Sequence, residues 1–255
     1  MNRSSESKIK TETKPVVSII IPTFENEEIF THCLRSILCF TKTPIEIVVV
    51  LNGGDYQVKS QSFQDSDIKW IVPGKNLGWM GGINAARSSV SGEYVLMLND
   101  DAQILDFDND WLNRLVESIK GNVVAAGPLS NAVMGNQNIG NSAGIGFKRH
   151  TTPAISGFCF LIKKSILDEM GWLDESLPGG DDLDLSLRLL KAGYELGICR
   201  DVFLFHRYAV TGRKVHGKYW DSQEHHDDIN AGLIRKHGFL DWVRFETQRN
   251  IACAR

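Results

Sequence analysis

Asp100 and Asp101 stand side by side after the apolar run at residues 94–98, and adjacent carboxylates are costly to hold without a counter-charge. A divalent cation with oxygen ligands supplies one, and a cation shared with a diphosphate is a common arrangement. The same pair would also serve simply to start a turn. A second cluster, Asp181-Asp182-Leu183-Asp184, follows the flexible Gly179-Gly180 and opens a segment of helical periodicity. Capping explains it one way, since acids suit the positive end of a helix dipole. A general base whose neighbours raise its pKa explains it the other way. His206 closes the apolar run at residues 202–205, as either a satisfied structural residue or a metal ligand.

The elements that must carry these groups alternate. Residues 16–21 are mostly β-branched and end at Pro22, which reads as a buried strand. Asn26 is placed to cap a helix whose first turn holds Glu27 and Glu28 and whose apolar positions include Ile29, Cys33 and Ile37. Further strands are predicted at residues 45–51, 68–72 and 94–98, with helices over 81–90 and 111–119. This alternation implies βαβ units and a mostly parallel sheet. Residues 130–152, rich in Gly, Asn and Ser, predict an irregular excursion. Beyond it come extended segments at 154–162 and 194–205, and helices at 165–170, 182–192 and 219–237.

In an open parallel sheet, ligands sit beyond the carboxyl ends of the strands. Those ends present Pro22-Thr23-Phe24-Glu25, Asn52-Gly53-Gly54-Asp55, Asn76-Leu77-Gly78-Trp79 and Asn99-Asp100-Asp101. The chain lacks a P-loop, a dinucleotide fingerprint and a Gly-x-Ser-x-Gly elbow.

Composition narrows the class. At 42% hydrophobic and 23% charged, 255 residues make an ordinary globular chain that can bury a core without disulfides or structural metal. The net charge of −3 offers no basic field for nucleic acid. No apolar run approaches the ~20 residues of a membrane span, and the polar start lacks a secretory signal. Cys33, Cys39, Cys159, Cys199 and Cys253 have no metal or redox spacing and read as reduced thiols. A cytoplasmic protein is expected, with residues 1–14 as a floppy tail and residues 15–255 as one α/β domain.

Several motifs then carry a resemblance: residues 16–24; Asn76-Leu77-Gly78-Trp79 with Gly81-Gly82-Ile83-Asn84; and residues 92–101. They resemble the nucleotide-sugar half of family 2 glycosyltransferases of the GT-A fold. Ser156-Gly157-Phe158-Cys159, Gly171-Trp172-Leu173-Asp174-Glu175 and Asp181-Asp182-Leu183-Asp184-Leu185 resemble the acceptor half, in the same order. The Asn-Leu-Gly-Trp pattern is similar to the rhamnosyltransferase-like branch.

The resemblance implies a Rossmann-like nucleotide-sugar half at residues 15–128 and a decorated acceptor half at 129–255. It implies donor contacts from Pro22, Thr23, Glu25, Asn52, Gly78, Asn84, Asp100 and Asp101, with Mn²⁺ or Mg²⁺ held by Asp101 and His206. It implies Asp182 as catalytic base and Asp181, Trp172 and Gly157 at the acceptor, where Trp172 and Trp79 would stack on sugars or pack in the core. Two positions depart from the pattern. Leu51 stands where an acid usually precedes Asn52, and Asn99 replaces the first acid of Asp-x-Asp.

The activity so implied is an inverting, metal-dependent transfer from a UDP-, dTDP- or GDP-sugar to a glycan or lipid-linked hydroxyl in polysaccharide biosynthesis. A nucleotidyltransferase would show a Gly-rich basic loop after the first strand, unlike Pro22-Thr23-Phe24-Glu25. A silent sugar- or protein-binding relative would lack Asp101 or Asp182, and both are present. The helix at 219–237 is open to docking on the core, on a second copy in a homodimer, or on peripheral membrane partners.

Overall fold

The computed structural model describes residues 16–53, 68–105, 108–133, 135–140 and 150–253. The expected tail, the Gly54-Asp55 turn and residues 134 and 141–149 of the glycine-rich excursion lie outside the described residues.

Strand β1 (Val17–Thr23) is buried at every position. Its Val17, Ile19 and Ile21 share a core layer with Phe30, Leu34 and Ile37 of helix α1 (Glu27–Phe40). Its Ile20 shares the opposite layer with Ile83 of α2 (Gly78–Ala85). A strand covered on both faces has no use for polar alternation, hence the unbroken β-branched run. Each such side chain removed from water contributes about 1.5–3 kcal/mol. Strands β2 (Ile45–Leu51), β3 (Ile68–Ile71) and β4 (Tyr94–Leu98) join it in parallel, in the order β3-β2-β1-β4.

Beyond β4 the sheet changes character. Strand β8 (Cys159–Lys163) runs antiparallel between β4 and β6 (Val123–Ser130), and β9 (Glu195–His206) lies parallel to β6. Strands β5 (Ala102–Ile104) and β7 (His150–Thr152) both pair antiparallel with β9. The nine strands among the described residues therefore form one mixed sheet: its first four strands are all parallel, and its second half mixes antiparallel pairs with the parallel β6–β9 pair. Strand β6 was not predicted, because Ala125-Ala126-Gly127-Pro128 lacks the β-branched residues that mark a strand; burial holds it there.

Helices α3 (Trp111–Glu117), α4 (Lys164–Glu169) and α5 (Asp181–Lys191) fall within a residue or two of expectation. Helix α2 starts three residues before the predicted 81–90 helix. The cause is Asn52, whose Oδ1 accepts from the Leu77 N–H (3.2 Å) and whose Nδ2 donates to the Gly78 carbonyl (2.6 Å). The predicted 219–237 helix becomes α7 (Gln223–His237), flanked by α6 (Val210–His216) and α8 (Phe239–Cys253), which were not predicted. Asn26 occupies the cap position of α1 without making a capping bond. Its Nδ2 instead donates to Thr211 Oγ1 on α6 (2.6 Å), tying α6 to the end of β1.

Cys33, Cys39 and Cys159 are free thiols, and Cys33, Cys159 and Cys199 are buried. Among the described residues, no helix is long and apolar enough to cross a membrane.

Candidate active site

The turn after β4 leads directly into β5, whose Ala102 pairs with His206 at the end of β9. That pairing, with the Arg207 N–H donating to the Asp101 carbonyl (3.2 Å), brings together two residues far apart in sequence. His206 Nε2 lies 3.1 Å from Asp101 Oδ1. The ring is oriented by the Ala132 carbonyl, 2.7 Å from Nδ1, and by Phe158, which stacks on it at 4.8 Å. A carbonyl only accepts, so Nδ1 carries a proton, and Nε2 is the ring atom that faces Asp101. Asn99 Nδ2 lies 3.2 Å from that same Nε2.

Asp101 Oδ1 is buried and has no hydrogen-bond donor, although it lies within ion-pair distance of the ring. A buried carboxylate oxygen and a ring nitrogen this close need something positive between them, a proton on Nε2 or a cation. The pair fits a divalent cation, which takes carboxylate oxygen and imidazole nitrogen alike. Among the described residues no set of three or more His, Cys, Asp or Glu converges on one point. Substrate oxygens and water would supply further ligands. Asp100 is the supporting acid: its Oδ2 accepts from Thr23 Oγ1 (2.7 Å). Burial drives its carboxyl up and outweighs the Thr23 bond; with the Asp101 charge adding to the rise, it reaches about 7.

The other sequence-predicted donor residues divide. Pro22 and Asn52 pack directly on Gly82, where a Cβ would come within 2.9 Å of either. Glu25 is exposed, and its Oε2 lies 3.2 Å from Lys214 Nζ of α6. Gly78 adopts φ of +69°, a conformation that favours glycine. Asn84 does not face a donor. Its Nδ2 donates to the Leu173 carbonyl (2.8 Å) and Glu175 Oε1 (2.7 Å), and its Oδ1 accepts from the Leu173 N–H (3.1 Å). These bonds make Asn84, the position expected at the donor, a fastener of α2 to the Leu173–Glu175 turn.

Trp172 is corrected likewise. It is 2% exposed, and its Nε1 donates to Asp168 Oδ1 (2.8 Å). Its backbone sits at φ of +69°, held by Arg188 Nη2 donating to its carbonyl (2.9 Å). A ring so enclosed offers no face to a sugar.

The acid cluster opens α5 behind Gly180, whose φ of +70° begins the helix and where a Cβ would meet Ile229 at 2.8 Å. Asp182 accepts the Gly157 N–H at Oδ2 (2.9 Å) and the Leu183 N–H at Oδ1 (2.8 Å). Burial raises its carboxyl; the Gly157 and Leu183 N–H groups and the Arg249 charge oppose the rise without cancelling it. Burial and the adjacent Asp182 charge push Asp181 up to about 7, against a bond from Trp79. Asp184 is different in kind. It is fully buried and receives Arg188 (2.8 Å), Lys236 (2.8 Å) and His237 (2.8 Å), a structural ion cluster clamping α7 to α5.

One dipeptide joins the two acidic sites. Gly157 donates to Asp182, while Phe158 stacks on His206 and its carbonyl accepts from the Asn99 N–H (2.9 Å). Two further positioning residues went unread in the sequence. Asn131 pins the His206 backbone in both directions (2.8 and 3.0 Å), and Ala132 orients its ring. Both follow the end of β6, so recognising that strand would have pointed to them.

The Glycosyl transferase family 2 model matches residues 18–171. A Mycobacterium tuberculosis protein is 26% identical over 236 residues, covering 87% of this chain and 84% of its own. The O-antigen chain rhamnosyltransferase RfbN of Salmonella typhimurium is 21% identical over 234 residues, covering 82% and 72%. Among solved structures, the mannosyltransferase PcManGT of Pyrobaculum calidifontis, in complex with GDP-Man and Mn²⁺, superposes with a TM-score of 0.69 at 20% identity. That likeness covers 95% of this chain and 72% of that one, and identifies the fold as GT-A. The chain belongs to glycosyl transferase family 2 and is a glycosyltransferase that uses nucleotide-sugar donors.

Proposed function

We propose that the chain catalyses an inverting, cation-dependent transfer of a hexosyl or deoxyhexosyl unit from a nucleoside-diphosphate sugar to a hydroxyl of a glycan or lipid-linked acceptor. The observation that carries this reading is the Gly157-Phe158 link, which puts a raised carboxyl pair beside a buried carboxylate–imidazole pair suited to a cation.

Asp101 and His206 would hold Mn²⁺ or Mg²⁺, which when bound neutralises charge on the diphosphate leaving group. Thr23 and Asp100 support that end, and Asn52 holds the Leu77-Gly78 turn beside it. Asp182 accepts the proton of the acceptor hydroxyl as that oxygen attacks the anomeric carbon. The new C–O bond forms on the face opposite the diphosphate, whose own C–O bond breaks with the electron pair leaving on oxygen. One displacement without a covalent intermediate inverts the configuration. A carboxyl pair shifted toward neutrality by burial is suited to this work, because a base is most effective when its pKa lies near the working pH. Mn²⁺ in the complex of the mannosyltransferase relative supports the choice of metal.

The test measures nucleoside-diphosphate release from a panel of UDP-, dTDP- and GDP-sugars with Mn²⁺, with Mg²⁺ and with EDTA, and the anomeric configuration of the product by NMR. Release that needs cation, is lost in Asp101→Ala and yields the inverted anomer is the expected result. Retained configuration, or equal rates in EDTA, would overturn it.

A further inference from the structure

Helix α8 carries apolar side chains on two faces, and only one of them is used inside the protein. Trp242 and Phe245 are buried and join Leu187 of α5 and Leu233 of α7 in one apolar cluster. Phe239, Leu240, Val243 and Ile251 turn the other way, at 63%, 68%, 42% and 49% exposure. They are four of the nine large apolar side chains exposed among the described residues, gathered on one helix. At 3.6 residues per turn they fall within an arc of about 120°, which also holds Thr247 and Asn250 and has Arg244 at its edge. Exposed apolar residues scattered singly need no explanation, whereas a continuous stripe marks a surface that something covers.

Charge says what covers it. Both carboxylates of α8 lie outside the stripe and are held by cations, Asp241 by Lys191 (2.7 Å) and Glu246 by Arg249 (2.7 Å). Arg244 is 76% exposed and reaches Asp241 only at 4.0 Å, and Arg235 on the last turn of α7 is exposed as well. The stripe is therefore apolar with a cationic edge, on a chain whose net charge is −3. A second copy fits it poorly. A two-fold contact sets the patch against itself, bringing Arg244 toward Arg244 with no acid in either stripe. An anionic lipid surface fits, because headgroup phosphates take the arginines and the acyl boundary takes the apolar side chains. Fifteen residues make a helix about 22 Å long, short of the ~30 Å hydrocarbon core, so α8 would lie in the interface and not cross it. We propose that α8 docks this face on an anionic lipid bilayer, with Phe239, Leu240, Val243 and Ile251 at the acyl boundary and Arg244 among the headgroups. None of these residues belongs to the acid sites, so docking and transfer chemistry stand or fall separately.

The experiment needs neither donor nor acceptor. The full chain is sedimented with vesicles of phosphatidylcholine and phosphatidylglycerol, and with vesicles of phosphatidylcholine alone. Binding to the anionic vesicles, and far less to the neutral ones, is the expected result. Leu240→Ser combined with Val243→Ser should weaken it about tenfold or more. The Tm should stay within a few degrees, since both side chains already face water. Arg244→Glu should weaken binding to the anionic vesicles about tenfold. Leu38→Ser is the control: this exposed leucine of α1 lies on the opposite side of the sheet from α5 and α8, and its loss should change nothing. Absence of binding to the anionic vesicles, or binding that survives the α8 substitutions, overturns the proposal. So does a dimer in sedimentation velocity that the α8 substitutions dissociate, with no vesicle binding, which would make the face an interface between copies.

Discussion

At the amino end of the sheet Glu46 collects a salt bridge from Lys69 (2.6 Å) and hydrogen bonds from Ser18, Ser91 and the Gly92 N–H, whereas at the carboxyl end the acids are crowded together and short of donors. The carboxylates respond oppositely. Burial pushes Glu46 up, but Lys69, Ser18 and Ser91 outweigh it and hold the group at about 2. Asp100 and Asp181 reach about 7, because burial and a neighbouring carboxylate prevail over the few bonds they receive. Burial pushes each of these acids up, so the difference is one of partners. A satisfied acid stabilises the fold, and an unsatisfied one stores a need that a cation or a substrate proton can meet.

The contrast breaks most sharply at Asp182. Asp182→Asn preserves shape but cannot take a proton, and turnover should fall about 10²–10⁴-fold while nucleoside-diphosphate affinity, measured by calorimetry, stays within a few-fold. Should turnover survive in Asp182→Asn and collapse in Asp181→Asn, the base is Asp181.

Asp184, two residues further along the same helix, belongs with Glu46 in kind. Removing it strands Arg188, Lys236 and His237 in the interior, so Asp184→Ala should cost about 3–5 kcal/mol, of order 10 °C in Tm. A melting curve within 2 °C of wild type, a margin of about 1 kcal/mol, would contradict that assignment.

The smallest effect belongs to Glu46→Gln, a loss of about 1–2 kcal/mol near neutral pH. Its sign with pH follows from the depressed pKa. The folded state holds Glu46 ionised, so its contribution is present above the ordinary carboxylate range and is lost as pH falls toward about 2. The Tm gap between wild type and variant should therefore narrow in acid; a gap that widened would show that Glu46 does not act through its charge.

Much of the architecture was legible in the residues. The β-branched runs at 17–23 and 45–51 and the apolar 94–98 announce strands buried on both faces, because only covered strands can do without polar alternation. Asp100, Asp101, Asp181 and Asp182 were likewise visible as acids placed where strands and helices begin or end. What could not be read is which partners reach them. Local sequence does not tell a buried Trp172 from a stacking one, nor Asn84 as a fastener from Asn84 as a ligand, since each choice depends on contacts with residues 89 positions away or on a turn held by Arg188. The mixed half escaped because the middle of β6, Ala125-Ala126-Gly127-Pro128, carries no strand signal. The sequence by itself determined the acids, the strands that lead to them and the family. Tertiary structure alone decided that Asp101 meets His206 and that Asp184 is clamped by Arg188, Lys236 and His237 while Asp181 and Asp182 are not. Charges and hydrogen bonds act over a few ångströms, and only the folded chain brings such distant positions that close.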